Sequence, residues 1–287
     1  MKKIMKRKGT DVESYISGYS LEYGILLRAQ TTGNDGINFF ENMYPGAFAT
    51  IDDSGNVKIM HEEQFKLSDK QKEKELKDKK AIKRLENALF FAGVIFLLLV
   101  IPAVMLSSNI GIFCVGMSFI CFGLKNVATI IYQYILRSMG DKRTIQTHRF
   151  HAAEHAVVNA YYDLNRVPTL DEIKNYSYYS YYCGTINIFM DAWPNLIVGF
   201  CRFFPGNWFF VPLVFAISIF AWAVKKQKLF FIEYFTLYEP TEKEYKVAIA
   251  ALNGALEYKS RVDDVIDIID ILRGTVPCAE AIIKVYP

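Results

Sequence analysis

Charged side chains are absent from residues 87–124, and that absence excludes an ordinary water-exposed helix there. One bilayer crossing takes about 20 apolar residues, so the run is too long for one span and fits two antiparallel ones. Ser107-Ser108-Asn109 supplies the break, which puts a first span near 88–106 and a second from 110 toward Arg137. Lys125 falls in the second span and would be costly at mid-bilayer, so it belongs near the headgroups or against protein.

Other scarcities narrow the class further. The five cysteines (Cys114, Cys121, Cys183, Cys201 and Cys278) contain no C-x-x-C pair, and a cytoplasmic setting keeps accessible thiols reduced. The net charge is only +3, and the lysines of residues 66–84 alternate with Asp69, Glu73, Glu75 and Asp78, which argues against nucleic acid as a partner. That segment reads as a charged helix or an anionic-lipid contact. The basic start, residues 1–8, is not promptly followed by an apolar stretch, so no cleavable signal is expected and the first span serves as its own targeting signal. No internal repeat is evident.

What the chain does have is apolar bulk, 52% of residues. A second apolar block at 185–224, divided by Pro205-Gly206-Asn207, gives two more candidate spans. The one near 186–204 carries Asp191, Pro194, Asn195 and Arg202 and reads as broken or re-entrant. The one near 208–224 is clean. Lysines crowd the approach to the first span, so the amino end is expected in the cytoplasm, and an even number of spans returns the carboxyl end to the same side.

The segments between the spans carry local signals of their own. Residues 47–51 and 57–60 flank the turn-rich Asp53-Ser54-Gly55-Asn56 and predict a small β unit, with another turn at 33–36. Residues 61–86 predict a charged helix. The pattern Thr169-Leu-Asp-Glu172 predicts a capping box, which gives Glu172 a structural task, and a second box is expected at Thr241 and Glu244. Tyr245, Ala248, Ile249, Leu252 and Leu256 make one apolar stripe, and residues 262–272 make a second amphipathic helix stopped by Gly274. Tyr176, Tyr178, Tyr179, Tyr181 and Tyr182 read as an interfacial aromatic belt.

The expected fold is therefore mainly α: a polytopic membrane protein with about four transmembrane helices, a small amino-terminal β unit and cytoplasmic helices. The expected divisions are 1–86, the hairpin 87–137, a polar segment 138–184, the hairpin 185–224, and cytoplasmic helices at 225–287.

Chemistry concentrates in the polar segment. Histidine is rare, four in all, yet His148, His151 and His155 fall within eight residues on a helix expected at about 147–162. Histidines four apart lie roughly 40° apart around a helix and stack on one face, so His151 and His155 can share one metal ion. Glu154 falls about 80° to one side, where it can reach a metal-activated water without ligating the metal. This is the inverted H-x-x-E-H order of zinc hydrolases, with Glu154 as general base and Zn2+, or another divalent ion, as cofactor.

A zinc enzyme uses three protein ligands, so a partner must come from elsewhere. Cys183, beside Gly184 at the start of the third span, is the favoured candidate. His148 is a poor one, because about 10.5 Å of helix separates it from His155, and it reads as a supporting or surface residue. Asp191, Glu233 and Glu239 stay open. The implied substrate is a peptide or lipid-linked molecule arriving along the bilayer. Two rival readings are a non-catalytic metal-binding scaffold or sensor and, on Asp191 and Lys125, a transporter.

These residues resemble the YqhQ-like family, bacterial multi-span membrane proteins of unknown function described as predicted metal-dependent enzymes. Its H-G-A-E-H is matched by His151-Ala152-Ala153-Glu154-His155, its N-A-Y by Asn159-Ala160-Tyr161, and its C-G-T by Cys183-Gly184-Thr185. Near the end, Glu239-Pro240 and residues 247–252 follow the family pattern, and Gly24-Ile25-Leu26-Leu27-Arg28 echoes its amino-terminal element. The resemblance implies a bacterial inner-membrane protein with a metal site. Three departures mark a divergent member: Ser180-Tyr181-Tyr182 stands where the family has H-P-R, Tyr23 separates Glu22 from Gly24, and Ala156 replaces a lysine.

Overall fold

The computed structural model describes residues 15–30, 46–52, 54–64, 66, 69–180, 183–202, 210–225 and 233–273. The turns expected at 33–36 and 205–207, the stop at Gly274, and Asp53, Cys278, Tyr181 and Tyr182 lie outside them. The chain folds as two compact units, each assembled from separated stretches: residues 1–66, 142–180 and 237–287 make one, and residues 67–141 and 181–236 the other.

The first unit is built on a four-stranded antiparallel sheet in sequence order, β1 (Tyr15–Leu21), β2 (Gly24–Gln30), β3 (Ala47–Ile51) and β4 (Val57–His61). The expected pair 47–51 and 57–60 is present. The first two strands went unpredicted, because Glu22-Tyr23 is a two-residue hairpin turn without the usual Asn-Gly signal. Gly24 is needed there, since a Cβ would sit 2.0 Å from the Ala49 carbonyl oxygen on the paired strand. At the second hairpin Asp52 Oδ1 accepts from the Ser54 and Asn56 amides, and Gly55 takes φ 83°.

Alternation along the strands sends Ile16, Ile25, Leu27, Ala29, Ala47 and Ala49 to one face. That face packs against α5 (Lys142–Leu164) and α9 (Glu242–Arg273), with α6 (Leu170–Ile173) beside them. In α9 the buried stripe is Tyr245, Val247, Ala248, Ala251, Leu252 and Ala255, with Ile249 and Leu256 half-buried around it. The two helices expected after Thr241 are thus one continuous helix. The capping box of Thr169 with Glu172 forms, and at Thr241 the Glu244 carboxylate accepts from the Thr241 amide at 2.7 Å and from its hydroxyl.

The second unit holds α1 (Asp69–Leu98), α2 (Val100–Leu106), α3 (Ser108–Asn126), α4 (Ala128–Ser138), α7 (Gly184–Cys201) and α8 (Phe210–Lys225). The first expected span is broken: α1 and α2 meet at 42°, because Pro102 has no N–H for the Leu98 carbonyl and its ring crowds that oxygen. The second ends early, at Asn126, with α4 a separate helix. Lys125, at that end of α3, lies 5.6 Å from the Phe90 ring centroid, so it faces protein as expected. Small residues bring the helices together. Ser118 Oγ donates to the Gly93 carbonyl at 2.9 Å, and a Cβ on Gly199 would lie 2.8 Å from the Gly116 carbonyl oxygen.

Among the described residues, α3 is long and apolar enough to cross a membrane, and α1 with α2 passes the same measure if the bent pair is one span. Length and composition thus support one or two of the four expected spans. The 18 residues of α7 include Asn187, Asp191 and Asn195 around Pro194, and α8 has only 16 residues.

Candidate metal centre

The H-x-x-E-H motif lies in the middle of α5, a longer helix than its sequence signals suggested. The preceding α4 ends in a Schellman motif: the Asp141 amide donates to the Leu136 carbonyl and the Gly140 amide to that of Arg137, with Gly140 at φ 79°. At the other end Asn165 adopts φ 52° and its amide donates to the Tyr161 carbonyl, closing the helix before Pro168.

α5 runs antiparallel along β1, and two side-chain bonds fix its register. Tyr162 Oη accepts from the Ile16 amide at 2.9 Å, and Ser20 Oγ donates to Glu154 Oε2 at 2.5 Å. Eight helical residues advance about 12 Å and four strand residues about 13 Å, so both bonds can form without bending either element. Ala152, Ala153, Ala156 and Ala160 are fully buried and let the helix approach its neighbours closely. Ala156 belongs to this core, which explains why no lysine stands at that position.

His151 and His155 meet on one face as their spacing predicts, edge to face, with ring centroids 4.5 Å apart and planes at 65°. His155 Nδ1 lies 2.9 Å from the Tyr178 carbonyl oxygen. A carbonyl can only accept, so Nδ1 carries the proton and donates, which makes Nε2 the lone-pair nitrogen of the ring. Burial holds the His155 imidazole below its ordinary pKa, against the opposing influence of the Glu154 charge and that carbonyl. A neutral ring is the ligand form. Burial also pushes the Glu154 carboxyl above the usual range, opposed by His155 and the Ser20 hydroxyl.

Cys183 stands at the amino-terminal cap of α7, 3% exposed, three residues beyond Ser180. His151 and His155 offer two imidazole donors from one face of α5, and with Cys183 they form a group that could hold a metal ion. Two imidazoles and a thiolate suit zinc better than magnesium or calcium, which prefer oxygen ligands.

The other candidate ligands lie outside this cluster. His148 is buried, not at the surface, and its carbonyl accepts from the Tyr238 amide at 3.2 Å. Glu233 is fully buried, Glu239 is exposed, and Asp191 is exposed on α7. Tyr176 departs from the aromatic-belt expectation, since it is buried and its hydroxyl donates to Asp163 Oδ2 at 2.7 Å.

Three contributors escaped the sequence reading. Ser20 sits on an unpredicted strand, and the Tyr178 contact is made by backbone. Asn159 had a legible signal: positions 151, 155 and 159 repeat at four residues, so its amide shares the histidine face of α5.

A family model described as "Protein of unknown function (DUF1385)" matches residues 38–258. No curated protein and no solved structure matches the chain.

Proposed function

The chain belongs to the DUF1385 family, whose description gives no reaction, and from its residues we propose a membrane-bound, zinc-dependent hydrolase of the inverted-zincin type. The observation that carries this reading is the imidazole pair on α5 with its tautomer set by Tyr178 and a buried carboxylate one residue from His155. His151, His155 and Cys183 would hold the ion. Zinc, when bound, supplies the Lewis acidity that makes water nucleophilic near neutral pH.

The remaining work falls to the chain. Ser20 engages Oε2 of Glu154, so Oε1 is the atom assigned to take a proton from the attacking water and return it to the leaving group. Burial that raises the carboxyl's proton affinity makes it the stronger base for the first transfer.

Membrane attachment is supported by the second unit, where Met105 is 84% and Leu106 81% exposed. Residues 108–126, one continuous helix, extend about 28 Å, close to the hydrocarbon thickness of a bilayer. With α7 and α8 as third and fourth spans, both chain ends would be cytoplasmic, in a bacterial inner membrane, as in the YqhQ-like proteins. The motif helix follows α4 after a short link, which favours a substrate that travels along the membrane, a peptide or a lipid-linked molecule.

Metal analysis and hydrolysis assays on detergent-purified protein test the reading together. About one zinc per chain is expected. His151→Ala should lose the metal, whereas Glu154→Gln should keep metal and fold and lose hydrolysis across a panel of peptide and lipid esters and amides. If Glu154→Gln retains full hydrolysis, the general-base role is rejected. If the metal-loaded protein turns over nothing while His151→Ala loses stability, the non-catalytic metal scaffold replaces the enzyme.

A further inference from the structure

One turn beyond His155 on the same face of α5, Asn159 is 4% exposed, and its Nδ2 donates to two carbonyls, those of Ser177 at 2.8 Å and Tyr179 at 2.9 Å. The carbonyl between them, that of Tyr178, is the one that His155 Nδ1 meets. Three successive carbonyls of one short segment are thus held by two side chains of one helix. Ser177 Oγ accepts from the Tyr179 amide at 3.1 Å, which closes the segment into a local turn.

We propose that Asn159 is a positioning residue of the metal centre: by clamping the carbonyls on either side of Tyr178 it holds the middle one against His155 Nδ1 and reserves Nε2 for the ion. This inference rests on the metal-site reading above and extends it to an outer partner that no ligand pattern would select.

The chemistry behind the assignment is specific to an amide. The two N–H bonds of one amide serve two carbonyl acceptors without sharing a hydrogen, and Asn159 spends both on them. A carboxylate of the same shape offers no donor and repels both oxygens. The segment would then leave α5, His155 would lose its acceptor, and the imidazole proton would redistribute between the two nitrogens. A ring protonated on Nε2 must lose that proton or turn over before it can ligate from the same side. Removing such an outer partner typically weakens metal affinity about 10–100-fold.

The test uses the full-length protein in detergent with histidine-selective 15N labelling. Metal-free wild type should show His155 protonated on Nδ1, and zinc titration by competition with a chromophoric chelator should give a single site. Asn159→Asp should populate the Nε2–H form of His155 and bind zinc about 10–100-fold more weakly. A merely structural asparagine would lower the melting temperature and leave the tautomer alone. Zinc affinity within twofold of wild type with the tautomer unchanged overturns the proposal. Should Asn159→Asp fail to fold, the wild-type spectrum decides, because an Nε2-protonated His155 contradicts the clamp without any variant. Failure of the wild type to bind zinc at all is a different result, and it removes the metal reading on which the clamp rests.

Discussion

The two units distribute their apolar residues in opposite ways. In the sheet-based unit the large side chains are inside: Ile25, Leu27, Phe48, Val157 and Leu252 are almost wholly withdrawn from solvent. In the helical unit Leu98, Ile101, Met105 and Leu106 are exposed, while the buried positions of α3 are Gly111, Cys114, Gly116, Ser118, Cys121 and Gly123. A chain folding in water has the first pattern, because burying large apolar groups is its main driving force. The second pattern suits a solvent as apolar as the side chains, where helices gain by close approach of small residues and hydrogen bonds such as Ser118 to Gly93. One sequence thus carries two rules for what belongs inside.

The strongest way to break that comparison is a matched pair of leucine truncations. Leu27→Ala, in the sheet core, should cost about 2–5 kcal/mol of unfolding free energy in chemical denaturation. Leu106→Ala, on the exposed end of α2, should stay within about 0.5 kcal/mol. Equal losses at the two sites would mean that Leu106 is covered by protein and that the helical unit follows the ordinary rule.

A charge sharpens the same contrast. Ile101→Lys puts an ammonium on the exposed face of α2, where water would accept it and a bilayer would not. Lysine at the centre of a transmembrane helix costs about 2.5–3.5 kcal/mol on insertion scales, so the variant should partition measurably out of the membrane fraction. Unchanged membrane recovery together with better solubility without detergent would remove the bilayer from the account.

Legibility in the sequence followed the same division. Composition and length found the apolar stretch that forms α3 and the bent α1–α2 pair, because exclusion of charge over residues 87–124 is a global constraint that local detail does not blur. They did not find the bend at Leu99, which depends on where the Pro102 ring meets the helix backbone. The His151, His155 and Glu154 constellation was legible because helical geometry alone puts residues four apart together. Cys183 was favoured for its place beside Gly184 at the start of the third expected span, and it belongs to the group that could hold a metal ion. Ser20 was invisible, since its partnership with Glu154 depends on the register between a strand and a helix 134 positions away. The union of three distant stretches in one unit was equally beyond pattern reading, because no local signal states which segments share a core.

The smallest expected effect concerns the surface of the sheet-based unit, at Glu172. Its carboxylate accepts from Arg166 at 2.5 Å and 3.0 Å and from the Thr169 amide at 2.8 Å, and Arg166 first, then Thr169, bring its pKa down to about 2. A folded-state value below the ordinary 4.5 means that the unfolded chain takes up the proton first as pH falls. The stabilisation is therefore complete above about pH 4.5 and is lost progressively on acidification through about pH 2. Glutamine keeps the shape and can still cap the helix, but it does not titrate. Glu172→Gln should accordingly flatten the acid limb of the stability profile over that window and barely change it at neutral pH, where solvent screens so exposed a pair. Denaturant midpoints measured against pH check this, and parallel acid limbs for the two proteins would show that the Arg166 pairing contributes nothing to folding.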